Sequence, residues 1–162
     1  MTEHGKAAAG RNGRRPKGQF TDDYLLYLLA LASHQASGEF HAQLKGLGVP
    51  VRTWRVLGAL SDVDGMTVSE LARHVLTNQP TLTKIVDRMA RDGLVERTAT
   101  LGDRRKVLVR ITERGRERAA DLKRRAKDHE AEVLAAYDPT EAAHLKTMLR
   151  TLIARSRARP AS

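Results

Sequence analysis

The spacing of apolar positions along the chain changes twice. From residue 21 to 46, Leu25, Leu28, Leu29, Ala32, Ala36, Phe40 and Leu44 recur every three or four residues, which predicts one long helix. Thr21 suits its N-cap, Asp22 and Asp23 suit the positive end of its dipole, and Gly46, Gly48 and Pro50 stop it. Residues 51–61, with Trp54, Val56, Leu57 and Leu60, predict a second helix that ends before the turn signal Asp64-Gly65. Thr67-Val68-Ser69-Glu70 is a capping box opening a short helix with Leu71, Ala72 and Val75 inward. A break at Thr77-Asn78 precedes a further helix over about 79–92, with Pro80 in its first turn and Gly93 at its end.

The period then falls to two. Residues 94–97 predict a short strand and 99–105 a turn. Val107, Val109 and Ile111 alternate with Leu108 and Arg110, completing a two-stranded ribbon. Thr112 caps a long charged helix reaching about Ala136. Asp138-Pro139-Thr140-Glu141 restarts the chain as a second capping box, and the last helix runs to about Arg157. Its stripe of Leu145, Met148, Leu149 and Leu152 needs a partner. Residues 1–20 carry five Lys and Arg against one Glu, are rich in Gly, and predict a basic tail. It either stays solvated or follows a polyanion. Residues 158–162 form a second, short tail.

Length and charge narrow the function. With 162 residues there is room for about one hydrophobic core. Hydrophobic residues at 41% against 30% charged give a globular balance. Twenty-nine Lys and Arg against 19 Asp and Glu leave a formal charge of +10, which makes nucleic acid or an anionic membrane surface the leading partner. The absence of cysteine removes disulfides, thiolate zinc sites and thiol redox switches. The longest apolar run, residues 24–32, is far shorter than the roughly 20 residues of a membrane span. The N-terminal residues lack an apolar signal region, so a soluble, intracellular protein without membrane association is expected.

The predicted order is four helices, a ribbon and two helices. This fits a mainly α fold with a small β-wing, a winged helix-turn-helix between long flanking helices. In the helix over 79–92, Leu82, Ile85, Val86 and Met89 form the inward stripe. Gln79, Thr81 and Thr83 can approach base edges, and Lys84 and Arg88 can meet phosphate or guanine. An ordinary amphipathic surface helix would share this periodicity. The ribbon tip carries Gly102-Asp103-Arg104-Arg105-Lys106, three adjacent cations that repel one another unless a polyanion is near. An arginine there can enter a narrow minor groove, with Asp103 orienting a neighbouring guanidinium. A polar hairpin that merely keeps the protein soluble is the alternative.

The stretch TVSELARHVLTNQPTLTKIVDRMARDGLVER, the wing GDRRKVLVRIT and the following ERG resemble the MarR family of bacterial transcriptional regulators. The resemblance covers roughly residues 21–157, with 50–112 as the winged helix-turn-helix. It implies a homodimeric repressor on a palindromic operator in double-stranded DNA, with residues 21–46 and 112–157 as dimerisation helices. Thr81, Thr83 and Lys84 would then face the major groove, with Gln79 and Pro80 at its entrance. Arg105 would reach the minor groove, and recognition helices would lie roughly 34 Å apart.

The resemblance also implies a small-molecule effector rather than a cofactor. His34, Ser37, Phe40 and His41 on the first helix and Trp54 and Arg55 on the second are the candidate contacts. An indole offers a stacking face, and Arg and His can meet a carboxylate. Phe40 and Trp54 could equally be core. The stretch SHQASGEFHAQLKGLGVPVRTWRVLGAL is similar to members answering to hydroxycinnamate-type aromatic acids or their CoA thioesters. No metal site is expected. His34 and His41 share a helix face near Glu39, but His4, His74, His129 and His144 are scattered along the chain. No Gly-rich phosphate loop, G-x-S-x-G elbow or H-E-x-x-H motif supports an enzyme. The competing class is an architectural DNA-binding protein that has no effector.

Overall fold

A computed structural model describes residues 18–100 and 103–158, without the side chains of residues 99–106 and Arg157. The expected tails therefore lie outside the described residues, except for 18–20 and Ala158. The chain divides into two units between Gly38 and Glu39. The first holds α1, Phe20–Asp23, and the beginning of α2, Leu25–Gly46.

The single helix expected over 21–46 is thus two pieces. Tyr24 adopts extended backbone (φ −78°, ψ 108°) and ends α1. Thr21 is not the cap, because the chain turns two residues earlier. The Asp22 carboxylate accepts from the backbone N–H groups of Gly18 (3.3 Å) and Gln19 (3.1 Å). Phe20 and Tyr24 stack at 4.8 Å.

The second unit holds the C-terminal end of α2 and everything after it. Helix α3, Val51–Leu60, buries Val56, Leu57 and Leu60. Strand β1, Met66–Thr67, leads into α4, Val68–His74. Thr67 caps α4 as its sequence predicts: the Glu70 carboxylate accepts from the Thr67 N–H at 2.9 Å, and the Thr67 hydroxyl accepts from the Glu70 N–H at 3.3 Å. Helix α5, Gln79–Arg91, begins where Asn78 Oδ1 accepts from the Thr81 N–H at 2.9 Å. Between α4 and α5, Leu76 sits at φ +56° with its side chain 82% exposed.

Strands β2, Val95–Thr100, and β3, Asp103–Ile111, pair antiparallel, with Val95 opposite Ile111 and Arg97 opposite Val109. The turn is much shorter than the 99–105 expected, because the ladder continues through an irregularity at Ala99 and Thr100 to a Thr100–Asp103 pair. Leu94 lies outside the strand. The ribbon is not two-stranded: β1 adds to the free edge of β3, with Met66 opposite Val109, giving the order β1-β3-β2.

Helix α6, Glu113–Leu134, buries Ala119 and Leu122, and α7, Pro139–Ala158, follows the predicted Asp138 box. The core gathers Leu44, Leu57, Leu60, Leu71, Leu82, Val86, Met89, Val109 and Leu122. Three polar ties fix α6 across this core. The Lys123 ammonium donates to Asp62 at 2.8 Å and to the Ser61 hydroxyl at 3.2 Å, and Arg118 donates to the Leu47 carbonyl at 3.2 Å. Among the described residues, no helix is long and apolar enough to cross a membrane.

Gly115 marks the closest approach. A β-carbon there would stand 2.1 Å from the Leu94 carbonyl oxygen and 2.8 Å from Ile111 Cγ1. Gly115→Ala is therefore expected to destabilise by about 3 kcal/mol, since neither neighbour is a free side-chain end. Gly58→Ala, which meets only the Trp54 ring at 3.9 Å inside α3, should stabilise by roughly 0.5–1 kcal/mol. Thermal unfolding of the two variants gives opposite signs if the close approach is real. The Arg125 hydrogen bond to Asp121, aided by Arg124 and Arg118, holds its carboxyl below the usual 3.8. A depressed folded-state value means this contribution is present above the ordinary carboxylate range and fades as pH falls through the folded value. Carboxyl-carbon NMR titration should find Asp121 still ionised where exposed carboxylates have protonated.

Candidate nucleic-acid interface

Helix α5 is built to show one face. Leu82, Val86 and Met89 are buried and Ile85 half-buried, which is the stripe the sequence predicts. Burial of that stripe turns Lys84, Arg88 and Arg91 outward and leaves Thr81 and Thr83 half-buried, while Gln79 and Pro80 are exposed at the start of the helix. The last turn carries Arg88 and Arg91, where cations suit the negative helix end. Two of the neutral groups are already engaged. The Thr83 hydroxyl donates back to the Gln79 carbonyl at 3.0 Å, and the Gln79 side-chain oxygen accepts from Ser69 at 3.3 Å. The Ser69 contact joins α4 to the start of α5. Among the described residues, Lys84 and Arg88 have no ion-pair partner.

Two restraints escape a sequence reading. Arg97 of β2 pairs with Asp87 of α5, both about half exposed, and so braces the ribbon against the outward-facing helix. Arg110 of β3 donates to the Asp64 carbonyl at 3.1 Å and ties the ribbon to the turn before β1. Opposite charges ten residues apart on a helix and a strand give no periodic signal.

The backbone of Asp103, Arg104, Arg105 and Lys106 opens β3, beside the hairpin tip. Their side chains, and Gly102 altogether, lie outside the described residues. The ladder therefore delivers three consecutive cations to the end of the ribbon that Asp87 and Arg97 hold against α5. This arrangement can place cations on two neighbouring lines of phosphates, because a helix and a braced hairpin project from one core.

The candidate effector residues fall into different surroundings. His34 is exposed on α2, and the Ser37 hydroxyl donates to the Ser33 carbonyl at 2.6 Å. Phe40 is 7% exposed and belongs to the core. It stacks on His129 at 5.7 Å and meets Trp54 edge-on at 5.7 Å. Trp54 and His41 are half-buried and Arg55 is exposed. His129, which a linear reading leaves among the scattered histidines, is buried in this aromatic group.

The MarR family model matches residues 47–106. The chain is 36% identical over 94 residues to the HTH-type transcriptional repressor IacR of Pseudomonas putida, covering 58% of this chain and 56% of that protein. It is 32% identical over 93 residues to the homoprotocatechuate degradative operon repressor of Escherichia coli, covering 57% and 63%. The chain thus spans less than two thirds of the length of these two curated relatives. The crystal structure of the MarR family transcriptional regulator SPO1453 from Silicibacter pomeroyi DSS-3 is similar throughout. Its TM-score is 0.75 at 43% identity, over 84% of this chain and 97% of that one. With a relative of that identity matched over almost its whole length, the chain belongs to the MarR family, whose members are transcriptional regulators and not enzymes.

Proposed function

We propose that this protein is a homodimeric, sequence-specific DNA-binding repressor, released from a palindromic operator by a small aromatic acid or its CoA thioester. The observation carrying the DNA-binding part is the outward face of α5, with Lys84, Arg88 and Arg91, braced through Asp87–Arg97 to a ribbon whose end bears Arg104, Arg105 and Lys106. In this reading Gln79, Pro80, Thr81, Thr83 and Lys84 meet the major groove and Arg88 the backbone. Arg105 reaches the minor groove, with Asp103 and its neighbours beside it.

The dimer reading rests on apolar surface that this chain leaves uncovered. Met148 is 60% and Ile153 51% exposed on α7, in line with Leu145, Leu149 and Leu152, and Leu25, Leu26 and Leu28 are exposed on α2. So many large apolar groups in water favour a second copy. The effector reading is supported by the name of the E. coli relative, which links that repressor to breakdown of an aromatic acid. In this chain Trp54, Arg55 and His41 remain accessible for such a ligand, and Phe40 serves as the packed wall behind Trp54.

Arg105→Ala is expected to weaken operator binding about tenfold or more while leaving the melting temperature unchanged, read by gel shift. Unchanged affinity would remove the wing from the interface. Operator affinity should fall about a thousandfold between roughly 50 and 200 mM salt, as several phosphate contacts release counterions. Equal competition by random DNA would favour an architectural protein instead. Met148→Asp should convert a sedimenting dimer to monomer, and a persistent dimer would place the interface elsewhere.

A further inference from the structure

We propose that Glu39, His129 and Glu132 form a binding site for one divalent transition-metal ion of the zinc class. Glu39 lies at the start of the second unit, near the C-terminal end of α2, and His129 and Glu132 lie on α6 within the same unit. Each offers one ligand atom, and the three atoms lie within 4.8 Å of one another. His129 Nδ1 stands 4.0 Å from Glu132 Oε2, because positions three apart share a helix face.

Two observations separate this group from a chance surface cluster. The first is the histidine. Its ring is 8% exposed and stacked on Phe40, whose other contact is the edge of Trp54. A ring clamped in this way holds its nitrogens in fixed directions, which is what a metal ligand needs and an exposed histidine lacks. The second is charge. In a chain with ten excess positive charges, several cations of the last two helices pair with other carboxylates: Lys123 with Asp62, Arg124 and Arg125 with Asp121, Lys146 with Glu130. Among the described residues, Glu39 has no cationic partner, and the ion-pair neighbour of Glu132 is His129. Two carboxylates thus converge on a buried imidazole without a lysine or arginine to neutralise them.

The donor set selects the ion. One imidazole nitrogen and two carboxylate oxygens suit Zn2+, which takes Zn–N of about 2.0–2.1 Å and Zn–O of about 2.0–2.2 Å in a tetrahedron. Donors on such a tetrahedron stand about 3.3 Å apart, so separations of up to 4.8 Å must close by up to about 1.5 Å. Both carboxylates belong to exposed side chains free to rotate, while the buried ring stays still. Three protein ligands leave a fourth position for water. The bound ion would tie α2 to α6 beside Phe40.

Calorimetric titration of Zn2+ into the full-length protein tests this. We expect one ion bound per chain and a raised melting temperature. Glu39→Gln/Glu132→Gln, which changes only exposed groups, should weaken binding at least tenfold and abolish the zinc-induced thermal shift, with the metal-free melting temperature unchanged. No saturable binding would overturn the site. So would equal affinity in the double variant, which would place the ion elsewhere. Operator binding in zinc-free buffer is measured separately, so neither result depends on the DNA-binding reading.

Discussion

The arrangement depends on the burial of one stripe of α5. Leu82, Val86 and Met89 are almost fully removed from water against Leu57, Leu71 and Val109. At roughly 1.5–3 kcal/mol for each large apolar side chain, this burial far outweighs any surface charge contact. It fixes the rotation of the helix about its own axis. Lys84, Arg88 and Arg91 face outward as a consequence, without any contact needed to hold them there. The cationic face is the remainder of a packing solution.

Much of this was legible because it is local. The boxes at Thr67–Glu70 and Asp138–Glu141 form between residues three apart, and their hydrogen bonds are where the residue types place them. The stripe of α5 and the alternation of Val107, Val109 and Ile111 are periodic, so a linear reading finds them. The failures have equally physical causes. Strand β1 has two residues, too few to display a period, and exists only because β3 offers an edge more than forty positions away. The break at Tyr24 interrupts a helix whose apolar spacing continues unbroken. The Asp22 carboxylate, accepting from backbone N–H groups upstream, accounts for the start of the short first piece and not for its end.

The candidate sites divide along the same line. Thr81, Lys84 and Arg88 share one helix, so their common face follows from 3.6-residue geometry, and Gln79 is exposed because it opens that helix. Asp87–Arg97 joins a helix to a strand, and Glu39 meets His129 across ninety residues of chain. His34 and His41 are the histidine pair a linear reading finds, because they share one face of α2. Folding instead brings His129 to Phe40, since the aromatic ring has apolar surface to bury and His34 remains in water.

Thr112 joins more than its size suggests. Its hydroxyl donates to the Gly93 carbonyl at 2.7 Å and accepts from the Gly115 N–H at 3.0 Å, while its own N–H donates to the Leu94 carbonyl at 3.2 Å. The stop of α5, the approach to β2 and the first turn of α6 therefore meet at one residue, against a glycine with no room for a methyl group. Such a joint has no slack. A tilt of the long helix at its first turn would strain all three of these hydrogen bonds together.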